Sequence, residues 1–202
     1  MKQFVFAAAV LVALAYPAAA QERADGAAVE KVVADMFKSA KGVWAERVKQ
    51  DETQALCSKY RNELPAADAK KVLAREAANV KLPADGKLLG DWKAGEKIAQ
   101  SGFGGRFNDR PNTVNGGNCY ACHQLSKTEL SYGTLGPSLL EYGKIRKYAA
   151  ADAKATFARI YNPQSVQPCS NMPRFGHNGV LSEQQIKDLV ALLFDPQSPV
   201  NK

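Results

Sequence analysis

The chain has few of the residues that hold metals, with two histidines, four cysteines and three methionines among 202 residues. Any metal centre must therefore draw on a short roster of side chains. After the first fifteen positions no apolar run approaches the ~20 residues of a membrane-spanning helix, which excludes a span there. No segment alternates apolar and polar residues as a half-buried strand does, so an all-α chain is expected. The sequence also lacks an arginine-rich stripe, an aromatic-interleaved basic patch and any RNA-binding signature, so its net charge of +7 does not imply nucleic acid as a partner. An interface for an acidic protein accounts for the charge more simply. Internal repeats and low-complexity tracts are absent too, leaving one ordinary core with an appendage as the organisation that 202 residues allow.

At the N-terminus Lys2 precedes an apolar run from Phe4 to Ala15, followed by small residues ending in Ala18-Ala19-Ala20. This is the pattern of a secretory signal peptide over residues 1–20. Cleavage after Ala20 removes Lys2 and no acidic residue, taking the net charge from +7 to +6. The product is expected in the periplasm, where disulfides persist.

Residues 21–85 are expected to form a helical N-terminal extension. Val29, Val32, Val33, Met36, Phe37, Ala40, Val43, Trp44 and Val48 fall at helical spacing, and their apolar stripe needs burial. A second helix begins near Asp51 and carries Leu56, Cys57 and Tyr60; a third starts at Pro65 and runs to about Asn79. The Pro and Gly of "VKLPADGKLLG" mark a linker to the core, residues 86–202. There "GDWKAGEKIAQSG" and "DAKATFARIYNP" read as helices separated by irregular segments. Ser182 and Gln185 form a capping box before the apolar stripe Ile186, Leu189, Val190 and Leu193.

The chemistry concentrates in "NGGNCYACHQ", residues 115–124. Cys119 and Cys122 with His123 behind them form C-x-x-C-H, the attachment motif of c-type haem. Two cysteines three residues apart on one helical turn reach the two vinyl-derived positions of a porphyrin, and the next side chain points toward the iron. A thioredoxin-like dithiol needs a βαβ context, whereas "NTVNGGN" precedes this motif. A zinc site built from Cys119, Cys122, Cys169 and His177 is allowed by residue type but leaves His123 without a role. For the sixth iron ligand the candidates are Met36, Met172 and His177. Met36 sits on an apolar stripe, so Met172, in the loop "CSNMPRFGHNG", is the first choice and His177 the rival.

The order helix, C-x-x-C-H, "GPSL", helix, methionine loop, terminal helix resembles class I cytochrome c. The resemblance implies one covalent haem c and a carbonyl from Pro137 to the outer nitrogen of the axial His123. More narrowly, "GNCYACHQ", "SYGTLGPSL", "YGKIRKY" and the stretch from Cys169 to Asn201 resemble the SoxX family, the smaller cytochrome subunits of SoxAX complexes. That resemblance covers about residues 90–201. It implies a heterodimer with a SoxA-type cytochrome subunit, which conjugates thiosulfate to a cysteine of the SoxYZ carrier protein. In that arrangement the present chain takes electrons from the SoxA haem and passes them to a downstream acceptor cytochrome, and carries no catalytic residue itself. An independent periplasmic electron carrier is the alternative, and the amphipathic extension favours the subunit.

Cys57 and Cys169 remain after haem attachment. In an oxidising compartment such a pair forms a disulfide, here tying the extension to the methionine loop. Intermolecular pairing and two free thiols are the alternatives.

Overall fold

The computed structural model describes residues 26–106, 108–110 and 112–202. The expected signal peptide lies outside them. The chain divides into two compact units, Met1–Val48 and Lys49–Lys202, so residues 49–85 of the expected extension belong to the same unit as residues 86–202.

In the first unit, α1 (Gly26–Met36) and α2 (Val43–Arg47) replace the single apolar stripe read from Val29 to Val48. Gly42 separates them, at φ 58° and ψ −134°, a conformation open to glycine and closed to side chains with a Cβ. Neither helix has a buried residue, and Val32 and Met36 are 55% and 70% exposed.

All regular structure in the second unit is helical among the described residues. Helix α3 (Glu52–Lys59) starts at a capping box in which Asp51 accepts from the Gln54 N–H and the Gln54 side chain accepts from the Asp51 N–H. Helix α4 (Ala66–Ala78) follows Pro65, whose fixed φ and missing N–H suit a helix start. The core proper is built by α5 (Trp92–Gln100), α7 (Ala150–Tyr161) and α8 (Glu183–Phe194). From Ile186 to Phe194 every α8 residue is buried. Helix α5 crosses it at Gly95, where a Cβ would lie 2.2 Å from the Asp188 carbonyl oxygen; only a glycine permits so close an approach. Phe157 from α7 and Leu192 from α8 are fully excluded from solvent. Burying each such side chain stabilises the fold by roughly 1.5–3 kcal/mol.

The short α6 (Tyr142–Ile145) lies within a stretch expected to be irregular. It is held by the C-terminus: Asn201 Oδ1 accepts from the Gly143 and Lys144 N–H groups, while its Nδ2 donates to the Leu193 and Asp195 carbonyls. One buried amide thus satisfies unpaired donors at the start of α6 and unpaired acceptors at the end of α8.

Helices α3 and α4 are joined to the rest of this unit covalently and ionically. Cys57 and Cys169 are bonded, with 5.4 Å between Cα atoms and a sequence separation of 112. Closing a loop of about a hundred residues stabilises by up to ~4.7 kcal/mol through the unfolded chain's lost entropy. Beside the bond lies a buried polar cluster. Glu76 accepts from the Thr53 hydroxyl and from Asn162 Nδ2, and Arg174 pairs with both Asp51 and Glu76.

Candidate functional site

Ala99 and Ile98 of α5 lead into an irregular segment that doubles back beside the motif. The Gly117 N–H donates to the Ile98 carbonyl and the Asn118 N–H to the Ser101 carbonyl, at 2.8 and 2.9 Å. Asn118 then turns the chain through a left-handed conformation, φ 48°, which asparagine tolerates better than most residues. A single 3₁₀ turn follows, Cys119–Ala121. The Cys122 and His123 N–H groups both donate to the Cys119 carbonyl, at 3.1 and 2.9 Å. The two thiols and the imidazole therefore sit on one tight turn.

Residues 133–139 run alongside that turn. The Gly133, Gly136 and Leu139 N–H groups donate to the Tyr120, Cys122 and Gln124 carbonyls. A Cβ on Gly136 would fall 2.2 Å from His123 Cε1, so the bare glycine is what lets the ring lie against this segment. The next residue fixes the ring's orientation: His123 Nδ1 is 2.7 Å from the Pro137 carbonyl oxygen. A carbonyl only accepts, so Nδ1 carries the proton and Nε2 keeps its lone pair. That is the tautomer a metal requires, and the bond fixes the ring's orientation.

The donor set fits a covalently attached haem. Cys119 and Cys122 are both free thiols despite their closeness in sequence. Burial, reinforced by Cys122 and Glu96, pushes the Cys119 thiol up to about 12. A thiol held protonated in this way is a poor nucleophile at neutral pH. The sulfurs suit thioether formation to a porphyrin, and His123 Nε2 suits its iron. Leu135, 90% exposed on the segment that carries Gly136 and Pro137, adds apolar surface beside the motif.

Met172 is half-buried against the main core cluster, in the loop between α7 and α8. Its N–H donates to Ser170 Oγ, and the Ser170 carbonyl accepts from Gln164 Nε2. His177 is exposed, with its N–H on the Tyr161 carbonyl. Burial raises the Asp51 and Glu76 carboxyls, but their hydrogen bonds and the Arg174 charge, with a smaller contribution from His177, hold both below the ordinary carboxylate values. The zinc alternative is overturned, because Cys169 is bonded to Cys57 and has no thiolate to give. Among the described residues no group of three or more His, Cys, Asp or Glu is arranged to hold a metal ion.

An open polar cleft of about 480 Å³ lies next to the motif, but Tyr120 and Ala121 line it rather than the thiols or His123. At its edge Tyr120 donates to Glu96 Oε1 at 3.0 Å, and burial together with the Glu96 charge raises the phenol's pKa.

Sequence reasoning passed over Gly136, Arg174 and Glu76. The first had a signal in its position just before Pro137. The other two had none, since Asn162 lies 86 residues from Glu76 and Asp51 lies 123 from Arg174.

Comparison with known proteins bears on the same region. The family model described as Cytochrome c matches residues 90–194, from the start of α5's approach to the end of α8. The chain is 39% identical over 156 residues to an uncharacterized lipoprotein of Aquifex aeolicus (strain VF5), covering 76% of this chain and 73% of that protein.

Proposed function

This chain belongs to the cytochrome c family, and on that premise we propose that it is the electron-accepting monohaem subunit of a periplasmic heterodimer that oxidatively conjugates thiosulfate to a carrier-protein cysteine. Cytochrome c domains transfer electrons through covalently bound haem c; when bound here, that group supplies one-electron exchange between ferric and ferrous iron. Cys119 and Cys122 would hold it through thioethers, His123 and Met172 would ligate its iron, and the Pro137 carbonyl orients His123. The finer assignment, a SoxX-type subunit beside a SoxA-type partner, rests on the resemblance of residues 90–201.

The observation that supports this division of labour is the state of the cysteines. Joining thiosulfate to a carrier thiol forms one S–S bond, releases the thiol proton and leaves two electrons to be removed. This chain has no cysteine left to hold sulfur: two belong to the haem motif and two to each other. It therefore suits the receipt of those electrons, one at a time, while the bond forms on the partner subunit. Export is supported by the disulfide, which needs an oxidising compartment, by the leader-like residues 1–20 and by the relative's description as a lipoprotein. No described helix is long and apolar enough to cross a membrane.

One observation favours an independent electron carrier instead. His123, Met172 and the residues that hold them all lie within the unit Lys49–Lys202. The two readings separate on purification of the tagged protein from thiosulfate-grown cells, followed by a count of polypeptides bearing covalent haem. A second haem-bearing chain in fixed ratio supports the subunit; a haem-loaded monomer arriving alone supports the carrier.

A further inference from the structure

Two tethers straddle Met172, and both run to the helix pair α3 and α4. Three residues before it, Cys169 is bonded to Cys57 of α3. Two residues after it, the Arg174 side chain, 7% exposed, pairs with Asp51 at the N-cap of α3 and with Glu76 in the last turn of α4. Glu76 is itself held by Thr53 and Asn162, so the anchor does not swing freely. Only Ser170 to Pro173 lie between the tethers. The backbone at Cys169 takes a left-handed φ of 57°, unfavourable for a residue with a Cβ and maintained by what surrounds it.

We propose that α3 and α4 act as a clamp that positions Met172, with Cys57, Cys169, Arg174 and Glu76 as positioning residues for the axial sulfur. The inference rests on Met172 being the sixth ligand. The physical reason is effective concentration. A thioether is a weak neutral ligand whose occupancy at iron depends on how narrowly its loop is confined, and a span of four residues pinned at both ends has little room to wander. Opening one tether lengthens the mobile span while leaving both thioether attachments and the His123 to Pro137 bond untouched. External ligands then compete better with Met172, and the reduction potential falls as His/Met ligation is lost from part of the population.

The test uses the ferric holoprotein. In Cys57→Ala/Cys169→Ala the affinity for added imidazole is expected to rise about tenfold, equivalent to ~1.4 kcal/mol. The near-infrared sulfur-to-iron band should weaken and the midpoint potential move down. Arg174→Lys keeps a charge beside Glu76 but loses the fork that reaches two carboxylates, and should shift the same readouts in the same direction. Asn201→Ala, which loosens the fold far from either tether in sequence, should leave imidazole affinity at the wild-type value and so separates positioning from general instability. Should the cysteine variant not fold, the wild-type holoprotein is reduced with dithiothreitol, alkylated at Cys57 and Cys169 and reoxidised with ferricyanide, after which the same rise is expected. Unchanged band, potential and imidazole affinity after loss of the disulfide overturns the clamp while Met172 ligation stands. Absence of the band from the wild type overturns the ligand assignment, and the clamp with it.

Discussion

Asn162 Nδ2 donates to Glu76 Oε2 at 2.8 Å, joining the end of α7 to the end of α4 across 86 residues of sequence. Both side chains are buried, Asn162 completely. The carboxylate can stay charged there because hydrogen bonds from Thr53 and Asn162, with the charges of Arg174 and His177, outweigh the cost of burial.

Acid should therefore weaken this corner of the molecule in a defined way. Burial pushes the Glu76 carboxyl up, but its bonds and neighbouring charges leave it below the ordinary value of 4.5. A carboxyl lowered on folding contributes stability that is present above its unfolded pKa and lost as pH falls through its folded pKa. Glu76→Gln leaves the buried Arg174 with Asp51 as its remaining carboxylate partner and is expected to cost ~1–3 kcal/mol at pH 7. Denaturant melts repeated at descending pH should show the gap to wild type narrowing below about 4.5. A gap constant down to pH 3 contradicts the assignment.

Gly136→Ala should disturb His123 directly. The new methyl would meet the imidazole ring at 2.2 Å, and the ring is already fixed by Pro137. We expect destabilisation of ~1–3 kcal/mol, together with a shifted Soret spectrum that marks displacement of the ligand. Thermal melts followed at the haem absorbance read both effects, and an unaltered spectrum with normal stability argues against the placement of the ring.

At Gly95 the same change tests packing rather than ligation. A Cβ there meets the α8 backbone at Asp188, which cannot move aside as a flexible side chain can. Forcing α5 away from α8 should cost ~1–3 kcal/mol, a fall of roughly 2–12 °C in Tm for a chain of this size. The visible spectrum at room temperature should remain that of the wild type.

Much of this architecture was legible because local signals and tertiary demands agree. Ser182 and Gln185 announce α8, and both halves of that capping box are formed. Pro65 marks the start of α4, and the cysteine count pointed to the bond between Cys57 and Cys169. The structure departs from the sequence reading where a single backbone angle or a distant partner decides. Gly42 breaks an apolar periodicity that otherwise runs unbroken to Val48, and no spacing argument registers its φ. Helix α6 is four residues long, enters through Glu141 at φ 53° and depends on Asn201, too short and too non-local for periodicity to register. Glu76 reads in sequence as one more charge on a solvated helix face, because the arginine that makes its burial tolerable stands 98 positions later, at Arg174.

Covalent haem at Cys119 and Cys122 underlies every role assigned to this chain, and the mass of the denatured, secreted protein tests it. The wild type should carry the mass of one haem that survives acid and organic solvent, and Cys119→Ala/Cys122→Ala should carry none. A wild-type mass equal to that of the bare polypeptide, or an increment corresponding to two haems, contradicts it.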